Sequence, residues 1–100
     1  LKELESIRKK EIYLKNIKEK IDKNKSYPRI ARRGNIEGNV KVSFTVSPKG
    51  ELLSYKIING KKVFHKSIVK ALKKSFPFPI DKGILTSNLT VKIEIVYILI

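Results

Sequence analysis

The sequence contains no cysteine, methionine or tryptophan, and its single histidine is His65. Without cysteine there is no disulfide scaffold, no thiolate zinc site and no thiol nucleophile. One histidine leaves no His–His metal pair and no spare general base. Acidic residues are few, 9 against 23 Lys and Arg, and no two are placed by a motif as an acid–base pair. Phosphate-cradling glycine loops and metal-ligand spacings are missing as well. No apolar run reaches the roughly 18 residues of a membrane-spanning helix. Together these absences predict a protein that is not an enzyme and that needs no metal or cofactor.

What is present describes one soluble domain. One hundred residues suit a single core, and 41% apolar residues with a mean hydropathy of −0.24 fit a globular chain rather than a disordered tail. A chain that opens on Leu1, with no charged-then-apolar leader, reads as a piece of a longer protein. The formal charge is +14. It favours anionic partners, namely nucleic acid, lipid headgroups or acidic protein surfaces. Nineteen of the 23 basic residues are lysine, beside many Ile and Asn, and this composition also fits a proteome-wide codon bias.

Residues 1–24 read as a helical extension. Leu4, Ile7, Leu14, Ile17 and Ile21 recur at helical steps among Lys and Glu, a narrow apolar stripe that suits docking of one face. Glu11 falls where a heptad needs an apolar residue, which argues against a long coiled coil. Tyr27-Pro28 ends the helix, because a residue before proline avoids the α region. The connector 25–38 holds one helical turn around Arg29–Arg33.

Val40, Val42, Phe44 and Val46 then alternate with polar residues, the period of a half-buried strand. Ser47-Pro48-Lys49-Gly50 forms a turn, and a return strand runs from about Leu52 to Ile58 with Leu53, Tyr55 and Ile57 on one face. A second helix follows from about Phe64 to Ser75, with Phe64, Ile68, Ala71, Leu72 and Ser75 on one face and lysines elsewhere. Phe76-Pro77-Phe78-Pro79 stops it. In the last strand Leu89, Val91, Ile93, Ile95 and Tyr97 share one face.

The fold class is therefore α+β, in the order α-β-β-α-β. A three-stranded antiparallel sheet of order 2-1-3 carries helices packed on one face. Both outer strands are edges, and edges expose unpaired backbone groups. Lys92 and Glu94 give the last strand mild protection, but the stretch from Val96 to Ile100 has none.

These residues bear on catalysis, nucleic-acid binding and membrane attachment. His65 lacks an orienting carboxylate and a nucleophile, and reads as an ordinary histidine. Nucleic-acid readers stack bases on aromatics of an open sheet face, yet Phe44 and Tyr97 point inward. Phosphate attraction through Arg29, Arg32, Arg33 and the second-helix lysines stays open as an alternative. A membrane-surface role for the first helix is opposed by its five acids and by the lack of Trp or Phe on its apolar side.

From Tyr13 onward the chain resembles the C-terminal domain of TonB, the energy transducer of Gram-negative bacteria. The resemblance rests on Tyr13-Leu14 with Ile17 and Ile21, then Tyr27-Pro28 and Ala31-Arg32-Arg33. It continues through Ile36-Glu37-Gly38-Asn39-Val40, the alternating strand, the Ser47–Gly50 turn, and Ala71 and Phe76 with its prolines. Asn35 stands where the family often has glycine, and asparagine tolerates the left-handed conformation next best. His65 stands where the family often has a helix-capping Asp, which leaves the start of the second helix open.

The resemblance implies a periplasmic domain, residues 25–100, anchored in the inner membrane through an N-terminal segment outside this sequence. Its partners would be TonB-dependent outer-membrane receptors for iron chelates or vitamin B12, with ExbB and ExbD acting through that missing part. Capture of the receptor's TonB box would use β-strand addition on Leu89, Thr90, Val91, Lys92, Ile93, Glu94, Ile95 and Val96. Lys25, Tyr27, Pro28, Arg29, Arg32 and Arg33 are the candidate receptor contacts, and no nucleic acid is expected. The exposed edge is also where two copies would pair as a homodimer. A TolA-like envelope-bridging role is the alternative within this architecture.

Overall fold

The computed structural model describes residues 2–99. Helix α1 spans Lys2–Asn24 and α2 spans Arg29–Arg33. Strands β1 (Gly38–Val46) and β2 (Leu52–Asn59) precede a 3-10 turn at Lys62–Phe64. Helix α3 (His65–Ser75) and strand β3 (Leu89–Tyr97) complete the order. The sheet is β2-β1-β3, antiparallel throughout, as the alternation and the α-β-β-α-β order predict.

The α1 sequence has no glycine or proline. Glu3 and Glu5 lie in its first turn and Lys23 in its last, the signs that complement the helix dipole. Twenty-three residues give a rod about 34 Å long, which accounts for the elongated 51 × 24 × 19 Å envelope. Only its second half packs: Tyr13, Ile17 and Ile21 are buried, whereas Leu4 and Ile7 are 55% and 53% exposed. The expected five-residue stripe is thus corrected at its N-terminal end, where α1 runs past α3 and the sheet. Tyr13 is the first anchor, its hydroxyl donating to the Phe78 carbonyl at 2.7 Å.

The core lies between one face of the sheet and the two long helices. Val40, Val42, Phe44 and Val46 of β1 meet Ile95 and Tyr97 of β3, with Ile68, Ala71 and Leu72 of α3 above them. On β2 the expected shared face of Leu53, Tyr55 and Ile57 is corrected at Leu53, and Tyr55, opposite Phe44, is 39% exposed. Thr45 pairs with Ser54 but Val46 with Leu52, so Leu53 is an extra residue in a bulge and is 49% exposed. The bulge hands its place to Leu52, which packs against the core.

One local expectation about backbone is met. Asn35 takes the left-handed conformation, with φ 51. The second helix starts through the 3-10 turn, and no side chain caps it.

Candidate functional site

Among the described residues, β1 is the one strand neighbour of β3. Which of its backbone groups stay free follows from alternation. In the hairpin the Ser47 N–H donates to the Glu51 carbonyl at 2.9 Å, which aims the odd-numbered residues of β1 at β2. The even-numbered ones then aim at β3, where Val46, Phe44, Val42 and Val40 oppose Leu89, Val91, Ile93 and Ile95. Within an antiparallel strand, N–H and C=O of one residue point the same way and the next residue reverses them. Thr90, Lys92, Glu94 and Val96 therefore present donors and acceptors outward. Of the eight residues assigned to the edge from sequence, these four offer backbone groups and the other four hold the strand to β1.

The end of this edge is not bare. Lys25 Nζ donates to the Val96 carbonyl at 2.5 Å while paired with Asp22 at 2.5 Å, and it lies 5.2 Å from the Tyr97 ring centre. Glu37 Oε2 accepts the Leu99 N–H at 2.5 Å. The expectation of an unprotected stretch from Val96 onward is thereby corrected at the Val96 carbonyl and the Leu99 N–H, while Ile98 is exposed; Ile100 lies outside the described residues. Free edge remains at Thr90, Lys92 and Glu94.

The open face beside it is polar. Thr45 and Thr90 hydroxyls meet at 2.9 Å, and Asn39 Nδ2 donates to Glu94 Oε1 at 2.6 Å. No aromatic platform interrupts Lys41, Ser43, Thr90 and Lys92 on that face.

An aromatic cluster holds the C-terminal end of β3 in place. Tyr97 stacks on Phe64 with ring centres 4.3 Å apart, and Tyr27 meets both rings edge-on at 5.8 Å. The single hydroxyl proton of Ser67 goes to the Ser26 carbonyl at 2.5 Å, so the Tyr97 hydroxyl donates to Ser67 Oγ at 2.8 Å. Burial pushes the Tyr97 phenol above its ordinary value; the Ser67 hydrogen bond opposes this and the Asp22 charge adds to it. The Tyr27 hydroxyl donates to the Ile36 carbonyl. Its phenol is raised first by desolvation and then by Glu37, against a lowering by Arg32, whose guanidinium lies 5.8 Å from the ring centre.

The six candidate receptor contacts do not form one patch. Lys25 and Tyr27 are built into the β3 end, and Arg32 covers Tyr27. Arg33 is exposed on the last turn of α2. Pro28 and Arg29 instead line a groove between α2 and α3. The roles of Asp22, Glu37 and Ser67 are not legible in the sequence, since isolated polar residues carry no periodic signal. Elsewhere, His65 Nε2 donates to the Gly60 carbonyl at 3.0 Å. Among the described residues, no group of three His, Cys, Asp or Glu is placed to hold a metal.

An α+β domain with a three-stranded sheet, a helical layer on one face and a partly open terminal strand is the class these features define. Residues 23–99 match the family of Gram-negative bacterial TonB C-terminal domains, and the chain belongs to that family. The fold is similar to the solution NMR structure of Helicobacter pylori TonB C-terminal domain, residues 179–285. Identity is 30% over 87% of this chain and 80% of that one, with a TM-score of 0.73. A shorter fragment of the same protein, residues 194–285, aligns at 28% identity over 85% of this chain and 91% of that one, with a TM-score of 0.65. No curated protein matches the chain.

Proposed function

We propose that this domain captures an extended peptide from an outer-membrane receptor, the TonB box, by adding it as a fourth strand along β3. The domain works in the periplasm, tethered to the inner membrane by a segment outside this sequence, and passes on force generated with ExbB and ExbD. It performs no chemistry of its own. The observation that carries the reading is the free outer side of Thr90, Lys92 and Glu94 on a strand locked to β1 across Leu89–Tyr97.

The energetics suit a reversible grip. Three residues offer one donor and one acceptor each. About six bonds at ~0.5–1.5 kcal/mol give roughly 3–9 kcal/mol before the peptide is ordered. A micromolar complex needs about 8 kcal/mol, so side-chain contacts must offset the ordering cost. A backbone ladder accepts any extended sequence, and the side chains beside it select among them.

Proline substitution tests it. Thr90→Pro and Lys92→Pro each remove an outward N–H from an edge strand, where proline is tolerated, and leave the core side chains in place. Each is expected to weaken binding of a synthetic receptor-box peptide at least about tenfold in fluorescence anisotropy while the circular dichroism of the free domain is kept. Val91→Pro and Ile93→Pro remove inward donors and are expected to unfold the β1–β3 ladder instead. Normal peptide binding by both outward variants would place the site elsewhere.

A further inference from the structure

Between α2 and α3 runs an open groove of about 860 Å³. Every ionisable side chain that lines it is basic or histidine: Arg29 on one wall, with His65, Lys66, Lys70 and Lys73 on the other. No carboxylate lies among them. The α3 lysines stand at i, i+4 and i+7, one turn apart on a single helical face, and span about 10 Å along the axis. Apolar side chains fill the space between the charges. Val63 and Val69 are half-buried, and Ile30 is 74% exposed.

We propose that this groove is a second docking site, one that binds an acidic protein segment carrying apolar anchors. The lysine row and Arg29 meet its carboxylates while Ile30, Val63 and Val69 receive its apolar side chains. A net charge of +14 brings such a segment in quickly and makes its association rate fall with salt. The apolar lining favours a peptide over a nucleic acid or polyphosphate, which needs only the cations. No Phe, Tyr or Trp lines the groove to stack a base, and its one ring, His65, is held to the Gly60 carbonyl at 3.0 Å. The site is separate from the strand edge, since no β3 residue lines it.

The test is an NMR titration of the isotope-labelled 100-residue chain with a synthetic helical peptide. Its Glu residues stand at i, i+4 and i+7 beside Leu at i+3. Shifts are expected at Arg29, Ile30, Val63 and from Lys66 to Lys73, with Thr90, Lys92 and Glu94 unmoved. Lys70→Glu, an exposed change that leaves the core alone, should weaken binding about tenfold or more, and Val69→Ser should weaken it too. Equal binding of the Lys-for-Glu version of the peptide would overturn the proposal. So would polyphosphate or an oligonucleotide competing fully while Val69→Ser has no effect, because the groove would then be a plain anion-polymer site. Shifts confined to β3 would sink the groove and leave the strand edge standing.

Discussion

Gly50 joins three parts of the chain at one point. Its φ is +85, and a Cβ there would stand 2.0 Å from the Phe78 carbonyl oxygen. Phe78 N–H donates to the Gly50 carbonyl at 2.9 Å, and the same Phe78 carbonyl accepts the Tyr13 hydroxyl. Hairpin, post-α3 loop and α1 are thus fastened through one peptide. Gly50→Ala meets backbone rather than a flexible side chain, and is expected to cost about 2–4 kcal/mol. Gly83 has φ +89 with nothing within 4 Å of a Cβ, so Gly83→Ala should cost only about 1 kcal/mol. Urea denaturation measures both; equal losses would contradict the docking of the hairpin on the loop. The tyrosines make a second residue-scale prediction. Burial raises the phenols of Tyr13, Tyr27 and Tyr97 from 10.0. The folded state therefore holds these protons more tightly than the unfolded chain, and stability is fully present below pH 10 and falls as pH rises beyond it. Tyr97→Phe should flatten that fall in denaturation series across alkaline pH, and an unchanged slope would show that Tyr97 contributes nothing to it.

At the scale of elements, α1 is two helices in function. Its second half is core and its first half is solvated, with no described residue before Tyr13 buried. Removing residues 1–10 should shift Tm by no more than the few degrees that correspond to about 1 kcal/mol in a domain of this size. A larger fall on thermal melting would mean that Leu4 and Ile7 pack on something. The sequence pattern could not reveal this boundary, because apolar periodicity reports an amphipathic face and not what covers it. β1, α3 and β3 were legible for the opposite reason: their periods of 2 and 3.6 coincide with the burial that Val40, Ile68 and Ile95 undergo. The β2 bulge was not legible. Leu52 and Leu53 are adjacent and equally apolar, and only the register with Thr45 and Val46 decides which one faces in. The aromatic cluster of Tyr27, Phe64 and Tyr97 was hidden in the same way, since its members are far apart in sequence.

For the whole molecule, topology creates the candidate site. Placing β1 in the centre leaves two edges, and the connections treat them differently. β3 is reached after the long Phe76–Asn88 passage and is fastened at its C-terminal end by Lys25, Glu37 and the aromatic cluster, which leaves Thr90, Lys92 and Glu94 open. The edge as a place was legible from strand order alone. Which residues offer their backbone was not, because that depends on the pairing parity of the hairpin, set by the Ser47–Glu51 bond. Net charge adds attraction at long range without choosing a site. The most direct measurement is residue-resolved amide hydrogen exchange on the labelled domain, with and without a synthetic receptor-box peptide at near-physiological salt. Thr90, Lys92 and Glu94 are expected to exchange quickly when free and to become protected with peptide, while Val91, Ile93 and Ile95 are protected in both states. Bound peptide with Thr90, Lys92 and Glu94 still exchanging quickly would contradict strand addition at β3.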